Sequence, residues 1–166
     1  MNTKEDYIQS LNLVPHPEGG WYRQVYHSDD TFFAPESNGD RYRYTSILFL
    51  LTSQIPSHFH RLNHDELWYF HIGSPVTIHL ISPLGVYSTV QLGNHLLTGE
   101  QLQFRVPKNT IFASEIADRD AFTVVSCMVA PGFDYHDFEL LSKKQLLHNY
   151  PNNAEVIERL ASDAKQ

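Results

Sequence analysis

Short runs in which apolar and polar residues alternate recur along most of the chain and predict β-strands. The clearest of these runs cover residues 76–82, 86–92, 101–106, 110–116 and 121–130. Gly, Pro, Asn and Asp separate the runs, and these are the residues that favour turns. Several short strands at this spacing predict an all-β fold, either a sandwich or a barrel.

The two ends of the chain carry helical signals instead. Thr3 can cap a first helix over residues 3–12, and residues 142–161 predict two more short helices that pack outside the strands. We therefore expect one domain over residues 1–166, with a barrel over about residues 19–140.

One predicted strand near the start of the chain has charged residues on either side of a Gly-Gly bend, which a simple turn does not require. In residues 16–26 (HPEGGWYRQVY), a Gly-Gly bend separates Glu18 from a strand that places Trp21 and Arg23 on one face and Tyr22 on the other. Two interpretations stay open at this point. The segment is either an edge strand with a solvated arginine, or a pocket wall that presents Glu18, Trp21 or Arg23 to a ligand.

The histidine-rich segment over residues 57–73 (SHFHRLNHDELWYFHIG) is the centre of the pattern. His58 and His60 are two residues apart, so in a strand both imidazoles should point to the same face. After a polar turn, further residues follow at the same period of two: Glu66, Trp68 and Phe70. The pattern predicts a hairpin that aims two imidazoles and a carboxylate at one concave surface, with aromatic residues behind them.

The segments around this hairpin are less specific. Residues 27–40 predict a polar loop, long enough for a lid or a dimer arm, and residues 41–53 a strand that is apolar on both faces. A strand of that kind is typical of a layer between two sheets or of a subunit interface. The polar turn after Arg61 predicts that His64 is solvated.

Composition narrows the function classes. The chain has 166 residues and a formal net charge of −7, which argues against nucleic acid as a partner because that binding depends on Lys and Arg clusters. We find neither a signal peptide nor an apolar run approaching about 18 residues, so we expect a cytoplasmic protein without a membrane span. The single cysteine, Cys127, lies in an apolar run and is expected to be a small buried side chain.

The spacing of His58, His60, Glu66 and Gly73 resembles the first motif of the cupin superfamily, and Gly99 to Asn109 resembles the second. Within it, several segments resemble the cupin-5 branch of predicted sugar epimerases: HPEGGWYRQVY, FHRLNHDELWYFHIG, QFRVPKNTIFAS, APGFDYHDFEL and KKQLLHNYP. The resemblance implies a double-stranded β-helix, a jelly-roll barrel of two antiparallel sheets that encloses a small-molecule pocket. It also implies a homodimer.

Many cupins bind a metal ion with the first motif, and a metal site is therefore an alternative for this chain, although its sequence departs from the usual motif. His58, His60 and Glu66 would be the ligands of Fe²⁺, Mn²⁺, Ni²⁺ or Zn²⁺. Five residues separate His60 from Glu66, one or two more than in the usual motif, and Phe112 occupies the place of a further metal histidine.

Without a metal, the same residues suit proton transfer. His60 paired with Asp65 or Glu66 is the candidate base, and Tyr22 or Tyr44 the candidate acid. Trp68, Phe70 and Phe104 would line the pocket. Three functions therefore stay open: an isomerase or epimerase acting on a sugar-like or small carboxylate substrate, a metal-dependent oxygenase-type cupin, and a non-catalytic small-molecule binder.

Overall fold

The fold is a jelly roll of two facing antiparallel sheets, as predicted. A computed structural model describes residues 2–163. The larger sheet contains β1 (Val14–Pro15), β2 (Trp21–His27), β5 (Thr45–Thr52), β7 (Asp65–Gly73), β10 (Gln103–Val106) and β12 (Phe122–Ala130), in the order β1-β2-β5-β12-β7-β10. The smaller sheet contains β6 (Ser57–Leu62), β8 (Val76–Ile81), β9 (Tyr87–Leu92), β11 (Ile111–Glu115) and β13 (Phe138–Leu140), in the order β13-β6-β11-β8-β9.

Three short helices cover the outer faces of these sheets: α1 (Lys4–Ser10), α2 (Lys143–Asn149) and α3 (Ala154–Leu160). Thr3 caps α1 and Ser142 caps α2, each in a reciprocal capping box. α1 packs on the larger sheet at Leu50 and Val124, and α2 and α3 pack on the smaller sheet. No helix in the described part of the chain combines the length and apolarity that a membrane span requires.

Helix α1 explains the strand that is apolar on both faces. Leu50 of β5 faces α1, whereas its neighbours Phe49 and Leu51 face the space between the two sheets. There they join a core that includes Trp68 and Phe112. The apolar residues of β5 are therefore divided between two packing layers of the same chain.

Residues 27–40, predicted as a loop, instead contain most of a two-stranded hairpin. It is formed by β3 (Thr31–Ala34) and β4 (Gly39–Tyr42), and Asn38 provides the left-handed backbone of the turn, with φ +48°. The polar composition of the segment led to the wrong prediction of a loop, because this hairpin is held by charged and polar side chains rather than by an apolar face.

A buried ion pair attaches the hairpin to the two sheets. Arg41 of β4 donates two hydrogen bonds to the Asp137 carboxylate, at 2.6 and 3.1 Å. Asn63, in the turn between β6 and β7, donates to the same carboxylate at 3.1 Å. The hairpin also covers His64, whose Nε2 lies 2.8 Å from Ser37 Oγ. The prediction that His64 is solvated was therefore wrong, since it is only 3% exposed.

We predict that Asp137→Ala destabilises the fold by about 3–5 kcal/mol, because it removes the carboxylate that pairs with the buried Arg41 charge. The matched control is Asp30→Ala, which breaks the exposed ion pair between Asp30 and Arg43. That variant should lose no more than about 1 kcal/mol. Urea unfolding of both variants measures the free energy of unfolding. Equal losses of stability in the two variants would contradict the stabilising role of the buried pair.

Candidate functional site

A cavity of about 140 Å³ lies between the two sheets, next to the aromatic core. Both sheets, the segment before β2 and the segment before β13 contribute to its wall. The lining residues are His16, Glu18, Tyr22, Gln24, Thr45, Ile47, His60, Leu62, Glu66, Cys127, Val129, Phe133, Tyr135 and Phe138. Two carboxyl groups and two imidazoles among mostly apolar and aromatic residues are typical of a small-molecule site.

Backbone contacts of the Gly-Gly bend hold Glu18 in the cavity. Gly19 has φ +111°, and a Cβ atom there would lie 2.0 Å from the Pro56 carbonyl oxygen, so only glycine fits. The close approach lets the Glu18 carbonyl accept a hydrogen bond from the His58 amide at 2.6 Å. Ser57 Oγ donates to Glu18 Oε1 at 2.9 Å and fixes the carboxyl group.

Glu18 and His60 share a proton. His60 Nδ1 lies 2.7 Å from the His58 carbonyl oxygen, which can only accept, so Nδ1 carries a proton. The other ring nitrogen, Nε2, lies 3.1 Å from Glu18 Oε2. Burial raises the pKa of Glu18 and lowers the pKa of His60, and both shifts favour the neutral forms. A proton on Glu18 that is donated to Nε2 satisfies both groups.

Glu66 faces the same cavity from the opposite sheet. It lies on β7 and is 7% exposed. Burial, with an added contribution from the nearby Glu18 carboxyl, raises the pKa of Glu66 from 4.5 to about 7. Its Oε2 atom is buried and has no hydrogen-bond partner among the described residues. Glu66 therefore offers an unused oxygen atom that can take or give a proton near neutral pH.

Cys127 lines the wall beside Glu66. Burial raises the pKa of its thiol well above the ordinary value, and the Glu66 carboxyl adds to this shift. The side chain is therefore a neutral thiol, consistent with the small buried residue expected from the sequence rather than with a nucleophile.

His16 and Tyr22 lie on the side of the cavity next to Glu18. His16 Nδ1 accepts a hydrogen bond from the Glu18 amide at 3.2 Å, so the proton of the neutral ring is on Nε2. Burial lowers the pKa of His16, which keeps the ring uncharged. Its ring packs edge-on against Tyr22 with centroids 4.5 Å apart, and the Tyr22 hydroxyl lies 3.5 Å from that of Tyr135.

The structure brings four of the predicted site residues together: Glu18, Tyr22, His60 and Glu66. The carboxylate in contact with His60 is Glu18, whereas the sequence pattern predicts Glu18 as a ligand contact and Asp65 or Glu66 as the partner of His60. Asp65, the other predicted partner of His60, points to the outside, where it accepts from the Lys108 amide and pairs with Arg105.

The other predicted contacts lie away from the cavity wall. Trp68, Phe70 and Phe104 pack in the core between the sheets rather than on the cavity surface. Trp21 and Arg23 lie on the face of β2 opposite Tyr22. Trp21 packs with the α1 cluster, and Arg23 donates to a backbone carbonyl at 3.0 Å. Tyr44 is also absent from the lining.

A β-bulge separates His58 from His60, which corrects the prediction that they share a face. His58 and Phe59 together oppose the single residue Ala113 of β11, so the alternation of side chains is interrupted. His58 Nδ1 donates instead to the carbonyl oxygen of Leu160 in α3, at 3.2 Å. His60 alone turns into the cavity.

The donor set implied by the resemblance does not fit a metal ion in this arrangement. Of the three ligands inferred for Fe, Mn, Ni or Zn, His58 is turned towards α3, and only His60 and Glu66 face the cavity. Over residues 2–163, no three His, Cys, Asp or Glu side chains come together as a metal site. Phe112, at the place of a further metal histidine, packs on the His60 ring with centroids 4.1 Å apart.

Several lining residues were not among the predicted site residues. They are His16, Gln24, Thr45, Ile47, Leu62, Cys127, Val129, Phe133, Tyr135 and Phe138. The sequence did carry a signal for some of them, because His16 precedes Pro-Glu-Gly-Gly and Tyr135 belongs to the APGFDYHDFEL segment. Nothing in the local pattern showed that these two segments meet across the cavity.

Comparison with known families supports the resemblance. The model of the family described as Cupin_5, cupin superfamily (DUF985), matches residues 5–141 of the chain. No curated protein matches the sequence significantly.

Solved structures show the same fold. A protein from Shewanella oneidensis has a TM-score of 0.91 and 46% identity, covering 99% of this chain and 100% of its own. A hypothetical protein from Leishmania major has a TM-score of 0.90 and 42% identity, covering 96% of this chain and 99% of its own. Oxalate decarboxylase from Bacillus subtilis is distant, with a TM-score of 0.57, 15% identity and coverage of 91% of this chain and 37% of its own. It shares the fold alone.

The raised pKa of Glu66 predicts a pH-dependent stability. The folded protein holds this proton up to about pH 7, whereas the unfolded chain releases it near 4.5. The bound proton on Glu66 therefore makes its full contribution to the free energy of unfolding below pH 4.5. This contribution is lost as the pH rises through 7. Relative to Glu66→Gln, the wild type should lose up to about 3 kcal/mol between about pH 5 and about pH 8.

Urea unfolding of the wild type and of Glu66→Gln over this pH range measures the effect. The control is Glu139→Gln, which makes the same substitution at a partly exposed residue paired with Arg61 outside the cavity. This variant reports the effect of the substitution itself outside the cavity, and the prediction is that the loss between these pH values is specific to Glu66. If the difference in the free energy of unfolding between the wild type and Glu66→Gln does not change with pH, the Glu66 carboxyl group ionises normally.

Proposed function

This chain belongs to the Cupin_5 family of the cupin superfamily, and on that premise we propose that it is an isomerase or epimerase acting by acid–base chemistry on a small sugar-like molecule. The observation that carries the proposal is that two proton-binding units from different sheets line one cavity. The first is the Glu18–His60 pair, with 3.1 Å between Oε2 and Nε2, and the second is Glu66.

The two units come from different sheets. His60 comes from β6 of the smaller sheet, with Glu18 held against it, and Glu66 comes from β7 of the larger sheet. A ligand between them would have a proton acceptor on one face and a proton donor on the other. Inversion at a carbon next to a carbonyl group needs this arrangement, because the proton leaves one face and returns to the opposite face.

The proton balance of the step is simple. Glu66, as the carboxylate, takes the proton from the carbon next to the carbonyl group, and the electron pair of the C–H bond moves into an enolate. The Glu18–His60 pair then gives its shared proton to the opposite face of that carbon. One C–H bond breaks and one forms, and nothing is oxidised or reduced. In the reverse direction the two units exchange roles.

The surroundings of Glu66 support this assignment. A general base works best when its pKa lies near the working pH, and the pKa of Glu66 is about 7. Its Oε2 atom has no hydrogen-bond partner among the described residues and is therefore available to a substrate. Tyr22, with its hydroxyl group near Tyr135, is positioned to donate to a substrate oxygen from the same side as Glu18.

We predict hydrogen exchange at the reacting carbon of a substrate aldose or ketose. A panel of these sugars is incubated with the wild type in D₂O, and loss of the proton signal next to the carbonyl group is followed by NMR. His60→Ala and Glu66→Gln should each slow the exchange by about 10²–10⁴-fold, the usual contribution of a general acid or base.

The matched control is again Glu139→Gln, which should exchange at the wild-type rate. Circular dichroism and urea unfolding establish that each variant is folded. Retention of the wild-type exchange rate in folded His60→Ala or Glu66→Gln would contradict the mechanism. Ligand binding without exchange in the wild type would favour a non-catalytic binder.

A further inference from the structure

We infer that this cavity selects small polyhydroxylated molecules without a carboxylate or phosphate group, and that it rejects their anionic counterparts. The inference concerns the ligand class of the site described above and rests on that site being the one that acts. It narrows the sugar-like or small carboxylate substrates expected from the sequence. Three features of the cavity support it: its charged groups, the engagement of nearby arginines, and its size.

The ionisable groups that line the cavity are of the wrong sign for an anion. Glu18 and Glu66 are the acids, and neither imidazole presents a free cation, because His16 Nδ1 accepts from the Glu18 amide and His60 Nε2 faces Glu18 Oε2. None of the lining residues, all within the described range, is a lysine or an arginine. Carboxylate and phosphate ligands are normally bound by such side chains, and Arg in particular binds them through two parallel hydrogen bonds.

The arginines next to lining residues in the sequence are engaged elsewhere. Arg23 lies between Tyr22 and Gln24, but its guanidinium donates to the carbonyl oxygen of Leu11 on the outer face of the sheet. Arg61 follows His60 and pairs with Glu139. Because adjacent residues of a strand point to opposite faces, neither arginine can reach the cavity without disrupting the strand.

An anionic group in this cavity would meet the buried Glu66 carboxyl, which is the like charge here because Glu18 already shares a proton with His60. Placing like charges together at a desolvated site costs several kcal/mol in general, and it can be avoided only by binding an additional proton. A hydroxyl group has no such cost. It can donate to Glu66 Oε2, the buried oxygen atom without a partner among the described residues.

The size of the cavity sets a limit on the enclosed part of the ligand. Its volume of about 140 Å³ is close to that of a protein cavity of roughly 150 Å³ that holds benzene. The enclosed part is therefore about six non-hydrogen atoms, which corresponds to the reacting end of an aldose or ketose. Amino sugars also fit this class, because a cation next to Glu66 would be favourable.

The test compares binding within matched sets that share one carbon skeleton. One set contains glucose, glucosamine, gluconate and glucose 6-phosphate, and a second contains xylose, xylonate and xylose 5-phosphate. Ligand-observed NMR and calorimetry measure the dissociation constants for the wild type. In at least one set, we expect the uncharged or amino member to bind about a hundredfold or more tightly than its carboxylate and phosphate counterparts.

Glu66→Gln tests the cause of this discrimination. Removing the carboxyl charge should reduce the ratio between the neutral and anionic dissociation constants by about tenfold or more. Glu139→Gln, which changes the same residue type outside the cavity, should leave the ratio at the wild-type value.

The outcomes separate the ligand class from the proposed reaction. An anion that binds as tightly as its neutral counterpart, or no binding by any member, overturns the ligand class. A ratio that Glu66→Gln leaves unchanged overturns the electrostatic explanation and with it the inference. Neutral sugars that bind without hydrogen exchange confirm the ligand class and overturn the isomerase proposal.

Discussion

The burial of Glu18, His60 and Glu66 in one cavity, without a lysine or arginine beside them, is the constraint on which the rest of the site depends. Two carboxylates at such a position would be strongly unfavourable if both were charged. The cost is avoided because Glu18 shares a proton with His60 and because the pKa of Glu66 rises to about 7. Protons on these groups therefore take the place that a lysine or arginine charge would have in the cavity wall.

The fold provides this environment by covering both sheets on the outside. α1 packs on the larger sheet and the two C-terminal helices pack on the smaller one, so apolar residues can occupy both faces of a central strand such as β5. The inner space is then available for an aromatic core and, beside it, for a small polar cavity. The buried pair of Arg41 and Asp137 anchors the segment that carries the aromatic wall of that cavity.

The sequence predicted the fold well because strand and turn signals are local. It named His60, Glu66 and Glu18, which line the cavity, for the same reason, since each lies in a distinctive short pattern. The prediction that His58 shares a face with His60 was wrong because a period-two pattern does not reveal a bulge when the next residue is also polar or aromatic. It predicted Asp65 or Glu66, and not Glu18, as the partner of His60, because the contact of Glu18 with His60 depends on the close approach of the Gly19 backbone to Pro56, which is a long-range contact.

The bulge and Phe112 act together on the imidazole of His60. The bulge turns His58 to the carbonyl oxygen of Leu160, and the Phe112 ring packs on His60 where a further metal histidine is implied by the family motif. With Nδ1 donating to the His58 carbonyl, the lone pair of Nε2 is left for a single partner, and Glu18 is at that position. A proton between a carboxyl group and an imidazole thus lies where a cation would join the same two ligand types. An imidazole bound to a proton can exchange it with a substrate, and this makes proton transfer the chemistry that the arrangement of Glu18, His60 and Phe112 favours.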